Sequence, residues 1–568
     1  MAHFYDSELK RPSAFNFATD VVDYWAAHSP PAKLAMHWVS GDLQSERQLT
    51  YAHFSRQSNR LAVFFRDKLG IKAGERLLII MPRVPDWWEI ATACIRSGIV
   101  VCPATTLLVD KDIDYRANRS GATVFVGDHA SVEKFLRVKK TCPKVKTIVQ
   151  IGDAKVPDGV LSLQKEMQSV PEDAKYDGPK PRIKDPVMLY FTSGTTGQPK
   201  MVQHNQISYP LASTITGKHF HRLQPGAVNW VLTEQGWAKA AWAYFGTWNC
   251  GAALFIHDDR GAFSGKKTLD VLHRYPITTL CAPPTAYRQL VLDEMRQHFK
   301  KNPPSALRHC AGAGEPLNPE VIRIWKEMSG LEIADGFGQS ETVLVCGNFE
   351  GSAIRPGSMG KPSPGVPLAV IDPDGKECER DVEGDIALLV DLSESSNFFG
   401  VFDGYLDEHG TLTRNLRTNP SSQKQPWYPT GDRAVRDKDG YFWFVGRDDD
   451  VINTAGYRVG PFEVESTLKQ HPAVVESAVV SSPDASRGEV VKAFIVLTEQ
   501  AAKGGKENAG LVKELQDFCK ENAAPYKYPR KIQFVDAQFL PKTISGKIQR
   551  KKLKQMEWEG EKGGKAKL

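Results

Sequence analysis

Residues 75–104 read ERLLIIMPRVPDWWEIATACIRSGIVVCPA, with two apolar runs on either side of a longer, helix-like run. The run ERLLIIMPRVP predicts a buried strand, WWEIATACIRSG predicts a helix that ends at Gly98, and VVCPA predicts a second strand. Two β-branched runs follow, TVFVGD at 123–128 and TIVQIGD at 147–153. Because strands and helices alternate at this spacing, the sequence predicts parallel strands joined by crossover helices.

The chain is too long for one domain, since its 568 residues exceed the size at which a single core stops growing. A connection rich in Pro, Lys, Asp and Gly (154–185) leads to a strand at 187–191, and a β-rich stretch extends to about residue 447. We predict an α/β protein whose large N-terminal domain (1–448) has αβ-layered subdomains plus a β-rich subdomain. A small, mobile α+β domain (449–568) is predicted to follow it.

The composition excludes a dedicated nucleic-acid binder. The 73 lysines and arginines face 67 acidic residues, so the net charge of +6 is dilute over the chain. The nine cysteines include no CxxC pair, and their odd number indicates neither a disulfide framework nor a zinc site. No apolar run approaches the roughly 20 residues of a membrane span. We therefore expect a soluble intracellular protein of a reducing compartment.

The two ends of the chain bear on its location. The first residues lack a hydrophobic segment and an Arg-rich, acid-poor pattern, which predicts that the protein is not secreted. The last three residues, Ala566, Lys567 and Leu568, differ by one residue from the Ser-Lys-Leu peroxisomal address. They predict an import receptor as partner and a peroxisomal matrix location in a eukaryote, with a cytoplasmic location otherwise. A frayed basic C-terminus is the alternative.

A glycine-rich loop directly follows the strand at 187–191 and reads TSGTTGQPK from Thr192 to Lys200. Its glycines let backbone N–H groups approach an anion, and its hydroxyls and lysine add donors, as a triphosphate requires. The loop is not a Walker A sequence, because GxxxxGK[ST] fits nowhere in the chain. A Ser/Thr-rich surface turn is the alternative.

Four charged residues farther along suit a bound nucleotide. Glu341 offers Mg²⁺ a hard oxygen ligand, and Asp432, expected in a turn, can accept hydrogen bonds from two ribose hydroxyls. Arg447 can add charge-assisted bonds, and Lys547 is a point charge on a polar loop that can enter a site and leave it. The alternatives are a helix N-terminal acid for Glu341 and an Asx-turn for Asp432. For Arg447 and Lys547 they are a surface ion pair and a solvated basic tail.

In this order the loops resemble those of the acyl-adenylate-forming (AMP-binding) superfamily, which includes acyl-CoA synthetases, adenylation domains and beetle luciferases. The resemblance extends from about Phe15 to Trp558 and is strongest to the medium-chain acyl-CoA synthetases. It is carried by YFTSGTTGQPKM (190–201), GRDDDVINTAGYRVGPFEVE (446–465), HPAVVESAVVSSPD (471–484), RGEVVKAF (487–494), APYKYPRKI (524–532) and PKTISGKIQR (541–550).

The resemblance implies an AMP-forming ligase that converts a carboxylic acid and ATP to acyl-AMP and pyrophosphate and then transfers the acyl group to CoA. ATP, Mg²⁺ and CoA are its implied ligands. The implied ATP-binding residues are Thr192, Ser193, Gly194, Thr195, Thr196, Gly197, Lys200, Gly314, Glu315, Pro316, Asp335, Gly336, Phe337, Gly338, Gln339, Ser340, Asp432, Arg447 and Lys547. Lys547, Ser340 and Glu341 have implied catalytic roles, and Glu341 is the implied magnesium ligand.

For the second half-reaction the resemblance implies a rotation of the C-terminal domain about Asp449. The implied CoA-binding residues are Ala455, Gly456, Tyr457, Arg487, Lys520, Tyr528, Pro529 and Arg530. The implied acyl-substrate contacts are Trp237, Gly338 and Arg458.

Gly338 bears on the size of the acyl cavity, since acetate-specific relatives carry Trp at this place. We therefore expect a cavity open beyond two or three carbons and a medium-chain, branched or aryl acid as substrate. Four further aromatic residues are expected to belong to the hydrophobic core: Trp242, Tyr244, Phe245 and Trp248.

Three residues depart from the family pattern and leave the acid open: Phe337 for Tyr, Ser340 for Thr and Glu234 for Asp. Two other functions are alternatives. One is an adenylating enzyme with a carrier protein as acceptor, which the absence of a carrier domain after Lys547 disfavours. The other is a non-catalytic nucleotide-binding protein, which intact Lys547, Glu341 and Asp432 disfavour.

Overall fold

The computed structural model describes residues 9–30, 33–192, 199–315, 317–393, 396–448, 450–454, 457–484, 487–503, 508–523, 527–543 and 547–565, without the side chains of 453, 457, 458 and 560–565. Among these residues no helix is long and apolar enough to cross a membrane. All nine cysteines are free and buried.

The strands are short and are distributed along the whole chain. They are β1 (Leu34–Ser40), β2 (Glu46–Thr50), β3 (Arg76–Ile80), β4 (Val100–Ala104), β5 (Val124–Gly127), β6 (Thr147–Gln150), β7 (Leu161–Ser162), β8 (Pro186–Thr192), β9 (Lys200–Asn205), β10 (Val228–Val231), β11 (Ala253–Asp258), β12 (Thr279–Ala282), β13 (His309–Ala313), β14 (Ile333–Gly338), β15 (Leu344–Gly347), β16 (Lys361–Pro362), β17 (Leu368–Ile371), β18 (Glu383–Leu389), β19 (Gly404–Leu406), β20 (Leu412–Thr413), β21 (Trp427–Arg436), β22 (Phe442–Arg447), β23 (Ile452–Thr454), β24 (Tyr457–Val459), β25 (Val474–Asp484), β26 (Gly488–Leu497) and β27 (Lys531–Phe534).

The helices alternate with these strands. They are α1 (Tyr24–His28), α2 (Tyr51–Val63), α3 (Asp86–Ser97), α4 (Asp110–Ser120), α5 (His129–Val138), α6 (Leu163–Glu166), α7 (Ser213–Ile215), α8 (Ala238–Asn249), α9 (Gly265–Arg274), α10 (Pro284–Leu290), α11 (Asp293–Lys301), α12 (Pro319–Ser329), α13 (Pro461–Leu468), α14 (Glu499–Ala502), α15 (Ala509–Asn522) and α16 (Arg550–Lys565). Short π-helical or 3₁₀ turns occupy Ala18–Asp23, Phe64–Lys68, Lys139–Thr141, Met167–Ser169, Thr216–Phe220 and Ala537–Phe539.

The predicted alternation of strands and helices is confirmed. β3, α3, β4, β5 and β6 lie where the apolar runs of the sequence place them. Gly98 ends α3 in the left-handed conformation, with φ of 76°, which a residue without a side chain adopts at little cost. β3 pairs in parallel with both β4 and β5, as crossover helices require.

Two nine-stranded sheets make up most of the N-terminal part. The first has the order β16-β15-β14-β13-β12-β10-β11-β1-β2, and its six strands from β14 to β1 are parallel. The second has the order β20-β19-β9-β8-β4-β3-β5-β6-β7, and its six strands from β8 to β7 are parallel. The carboxyl ends of parallel strands lie at one edge of a sheet, which is where α/β proteins place their binding sites.

Two smaller sheets complete the mixed α/β architecture. β17, β18, β21 and β22 form an antiparallel sheet, in agreement with the predicted β-rich stretch. β23 to β27 form a five-stranded sheet that packs with α13, α15 and α16 around separate apolar clusters within residues 452–553. The boundary at 448/449 stays a prediction.

A close approach of two helical segments fixes α8, whose side chains line the main cavity. A Cβ atom on Gly217 would lie 2.2 Å from the carbonyl oxygen of Gly246 in α8. The two backbones can approach this closely only because neither Gly217 nor Gly246 has a side chain.

We predict that Gly217→Ala lowers the free energy of unfolding by about 2 kcal/mol or more, because the added methyl group forces the helices apart. Urea unfolding followed by tryptophan fluorescence measures the change. Gly510→Ala is the matched control, because its Cβ would meet only Asn508 Oδ1, at 3.3 Å. The prediction fails if both variants unfold at the same urea concentration as the unmodified protein.

Candidate active site

A cavity of about 570 Å³ lies where the carboxyl edges of the two large sheets meet. Residues after β10, β12, β13 and β14 of the first sheet line it, together with residues after β3, β4 and β8 of the second. The fold therefore collects loops that are distant in the sequence. This volume lies within the range of about 300–1,000 Å³ that is usual for small-molecule sites.

The cavity brings together many of the predicted site residues. Those that line it are Thr192, Trp237, Gly314, Glu315, Gly338, Gln339, Ser340 and Lys547. Asp335, Gly336 and Phe337 precede them on β14. Lys200 begins β9, directly opposite Thr192 in the β8–β9 hairpin. The predicted residues Ser193 to Gly197, Pro316, Asp449, Ala455 and Gly456 lie outside the described residues.

Asp432 is buried next to Gln339, and two side chains contact its carboxylate. Gln339 Nε2 donates to its Oδ2 atom, and Arg447 Nη1 lies 3.8 Å from its Oδ1 atom. The prediction of a turn here is wrong, because residues 430–432 belong to β21 and Asp432 pairs with Arg447 of β22. Burial raises the pKa of Asp432 to about 6, although Arg447 and Gln339 oppose the rise.

Glu341 is a second buried carboxylate, next to the end of the glycine-rich loop. The Tyr405 hydroxyl donates to its Oε1 atom at 2.7 Å, and Lys200 Nζ lies 4.8 Å from the centre of the Tyr405 ring. Burial raises the pKa of Glu341, while Tyr405, Arg447 and Lys200 lower it. The alternative of a helix N-terminal acid is wrong, because the residues after Glu341 lead into β15.

The backbone of the turn that carries Glu341 is held from the opposite side by His204 and Tyr209. His204 Nε2 donates to the carbonyl oxygen of Ser340 at 2.8 Å, and the Tyr209 hydroxyl donates to the same oxygen. The two rings are stacked with their centres 3.4 Å apart. Burial lowers the pKa of His204 to about 3, so the ring is neutral and its Nδ1 atom accepts from the Ser208 hydroxyl.

Sequence reasoning missed Tyr405, His204 and Tyr209. All three act on a turn that lies more than sixty residues away in the sequence. An isolated His204 after a buried apolar run is a weak local signal, and Tyr405 and Tyr209 have none.

Lys547 lies on a short anchored loop rather than on a free tail. Lys542 and Ile548 form an antiparallel bridge, and the backbone of Thr543 donates to the carbonyl of Lys547 at 2.7 Å. A second lysine, Lys239 of α8, lines the same cavity and donates to the carbonyl of Ala313. Burial lowers the pKa of Lys239, and the charge of Lys547 adds to this effect.

The wall beyond Gly338 is aromatic. A Cβ on Gly338 would lie 2.7 Å from Trp242 Cη2, so Trp242 fills the place that a side chain at 338 would take. Trp242 also donates from Nε1 to the carbonyl of Thr342 at 3.1 Å. Trp242 and Tyr244 line the cavity as well as being buried, whereas Phe245 and Trp248 belong to the core only as expected. The missing side chain of Gly338 therefore admits Trp242 and does not by itself set the cavity length.

An ion pair between Arg83 and Glu234 also lines the cavity. Arg83 Nη1 contacts Glu234 Oε1 at 2.5 Å, and Arg83 also donates to the carbonyl of Asp259. Burial raises the pKa of Glu234, although Arg83 opposes the rise. Glu234, which departs from the family pattern, is thus part of an ion pair rather than a free acid.

Asp335 lies on β14, where it pairs with Gly312 of β13. Its Oδ1 atom accepts from the backbone of Gly336 at 2.9 Å, and its carbonyl accepts from Asn348. Burial raises the pKa of Asp335 to about 7.

The structure brings some of the predicted CoA-binding residues close together. Lys520 Nζ and Arg530 Cζ lie 4.7 and 4.9 Å from the centre of the Tyr528 ring, and the carbonyl of Pro529 accepts from Gln516. Arg487 lies next to the start of β26. Tyr457 lies on β24, which also carries Arg458, a predicted acyl-substrate contact. The structure thus joins Lys520, Tyr528 and Arg530 into one cationic group.

Two protein-family models match the chain. The AMP-binding enzyme model matches residues 22–405, and the model of the AMP-binding enzyme C-terminal domain matches residues 463–547. The chain is 41% identical over 553 residues to the protein named "Acyl-coenzyme A synthetase ACSM5, mitochondrial" of Homo sapiens, with 96% of this chain and 91% of that protein covered. It is 43% identical over 557 residues to the ACSM4 protein of Mus musculus, with 97% and 92% covered.

Solved structures share the fold over the whole chain. The anthranilate CoA ligase AuaEII, solved with anthranoyl-AMP, superposes with a TM-score of 0.81 at 28% identity and covers 97% of this chain and 98% of that one. The acyl-CoA synthetase of Brucella canis superposes with a TM-score of 0.70 at 31% identity, covering 98% and 96%.

We predict that adenosine binding weakens as the pH falls through about 6, because protonated Asp432 accepts fewer hydrogen bonds from the ribose. At pH 5 about a tenth of the carboxyl groups would be ionised, so the affinity is expected to fall about tenfold from its value at pH 7.5. Calorimetry with adenosine measures this without the titration of phosphate groups.

Asp432→Asn is the control for this pH dependence. It should bind adenosine weakly at every pH and lack the step near pH 6. 2′-Deoxyadenosine, which offers one hydroxyl fewer, should show a smaller step with the unmodified protein. A step of equal size in Asp432→Asn would assign the titration to another group, such as Asp335.

Proposed function

The chain belongs to the AMP-binding enzyme family, and we propose that it is an AMP-forming acyl-CoA synthetase that activates a medium-chain, branched or compact aryl carboxylic acid. The observation that carries this proposal is that Lys547 and the 338–340 turn line the same cavity as the aromatic side chains of Trp237, Trp242 and Tyr244. Polar and charged groups suit a nucleotide and a carboxylate, and aromatic side chains suit an apolar acyl chain.

In the first half-reaction the carboxylate oxygen of the acid attacks the α-phosphorus of ATP. An O–P bond forms, the bond to pyrophosphate breaks, and acyl-AMP results. The chain's own groups bind and orient the reactants: the 192–200 loop holds the phosphates, and Asp432 accepts from the ribose hydroxyls. The ammonium group of Lys547 stabilises the negative charge that develops on the α-phosphate oxygens.

The surroundings of Glu341 fit a magnesium ion. Among the described residues there is no cluster of three or more metal-ligating side chains. One carboxylate beside a phosphate loop is nevertheless the usual protein contribution to a Mg²⁺–nucleotide site. Glu341 would hold the ion, with Tyr405 fixing the position of its Oε1 atom. The ion would supply charge neutralisation at the phosphates.

In the second half-reaction the sulfur of CoA attacks the acyl carbonyl carbon. A C–S bond forms, the bond to AMP breaks, and the thiol proton passes to solvent. We propose that the segment after residue 448 rotates for this step, so that the cationic group of Lys520, Tyr528 and Arg530 meets the CoA nucleotide. The separate apolar clusters within residues 452–553 support such a rotation.

The relatives ACSM5 and ACSM4 are named as mitochondrial proteins, so the comparisons lend no support to a peroxisomal location. The tripeptide 566–568 lies outside the described residues. A location shared with these relatives is the better supported proposal, and a fluorescent fusion that preserves both ends of the chain tests it.

We predict that Lys547→Ala slows acid-dependent ATP–pyrophosphate exchange by about 100-fold, the usual cost of removing one group that stabilises transition-state charge. Transfer of the acyl group from supplied acyl-AMP to CoA should continue. Lys542→Ala, in the same anchored loop, is the control and should exchange normally. Undiminished exchange by Lys547→Ala would remove this lysine from the mechanism.

We also predict that turnover requires CoA and peaks beyond propionate. The experiment measures pyrophosphate release with ATP and Mg²⁺ against acetate through dodecanoate, benzoate and isobutyrate, each with and without CoA. A maximum at acetate would contradict the aromatic cavity as the acyl site. Pyrophosphate release that continues over many turnovers without CoA would favour another acyl acceptor. Binding of ATP without any pyrophosphate release would favour a non-catalytic protein.

A further inference from the structure

A row of four alternating charges crosses from the N-terminal part of the chain to the segment that carries Lys547. Arg288 of α10 lies 3.7 Å from Glu315 and 3.6 Å from Glu476 of β25, measured between Nη2 and Oε2 in both pairs. Lys469, which follows α13, contacts the other oxygen of Glu476. Arg288 thus makes an ionic contact with each of the two parts.

These four side chains are shielded from solvent. The exposed fractions of Arg288 and Glu476 are 23% and 16%. Burial alone would raise the pKa of Glu476, but Lys469 and Arg288 together lower it. An ion pair in such a place is screened less by salt than one on the surface.

Glu315 lines the cavity, and Glu476 is connected to it through β25 and α13. On one side, Glu315 follows Gly314 in the loop after β13 and lines the cavity. On the other side, β25 is fixed to α13, because the backbone of Val479 donates to Glu465 Oε1 at 2.8 Å. Arg550 Nη2 contacts Glu465 Oε2 at 2.7 Å, three residues after Lys547. The strand that carries Glu476 is therefore linked through Glu465 and Arg550 to the segment that carries Lys547.

We propose that Arg288 and Glu476 are positioning residues for the first half-reaction, whose ion pair holds the C-terminal segment with Lys547 in the cavity. The ion pair must break when this segment rotates, so it favours adenylation and opposes thioester formation. This inference rests on the proposed function and adds to it the contact that selects between the two half-reactions.

The test measures the two half-reactions separately on Glu476→Gln, which keeps the shape of the side chain and removes its charge. ATP–pyrophosphate exchange at saturating acid and ATP should fall about fivefold, the size expected for a partly exposed ion pair. Thioester formation from supplied acyl-AMP and CoA should be unchanged or faster. A merely structural defect would slow both reactions.

Two further variants complete the test. Glu514→Gln is the matched control: Glu514 also lies in the C-terminal segment, but it contacts His471 at 3.1 Å, and its variant should behave as the unmodified enzyme. Arg288→Gln should show the same split as Glu476→Gln, and the double variant should be no slower in exchange than either single one.

Equal effects of Glu476→Gln on both half-reactions, or fully additive effects of the two single variants, would overturn the proposal while leaving the ligase function standing. If the unmodified enzyme performs neither half-reaction on the acid panel, the proposed function fails and the proposal fails with it. If Glu476→Gln does not fold, the split measured with Arg288→Gln decides.

Discussion

The carbonyl oxygen of Ser340 is the point on which the geometry of the cavity depends. It accepts hydrogen bonds from His204 and Tyr209, two stacked rings that are themselves buried. A neutral imidazole and a phenol are well suited to this task, because neither brings a charge into the core. With its backbone fixed in this way, the turn presents Gln339 on one side and Glu341 on the other. The contacts of Gln339 with Asp432 and of Glu341 with Tyr405 are thus set by one peptide group.

Burial in the unliganded protein disfavours the ionised form of three carboxyl groups around the cavity. Burial raises the pKa values of Asp335, Glu341 and Asp432, and the cations nearby compensate only in part. A ligand that offers hydroxyl groups or positive charge relieves this cost, so part of its affinity comes from groups that the fold holds in an unfavourable state. Lys239 shows the same effect for a cation, since burial and the charge of Lys547 both lower its pKa.

Local patterns in the sequence suffice to predict the strands and helices around α3 and the glycine-rich loop after β8. The runs around α3 specify strands and a helix through their apolar spacing and Gly98, and the glycine-rich loop is recognisable because it directly follows β8. The contacts of Tyr405, His204 and Arg288 could not be found in this way, because each joins elements that only the folded chain brings together. Trp242 is buried, as the sequence predicts, but its approach to Gly338 is not visible in the sequence.

The pairing of β19 with β9 has a consequence for the chain as it leaves the ribosome. Tyr405 pairs with Val202, and β19 covers the outer edge of β9. Until residues 404–406 have been synthesised, that edge has unpaired backbone groups, and the hydroxyl that orients Glu341 is missing. A nascent chain that ends before this point therefore exposes an open strand of the kind that associates with other chains.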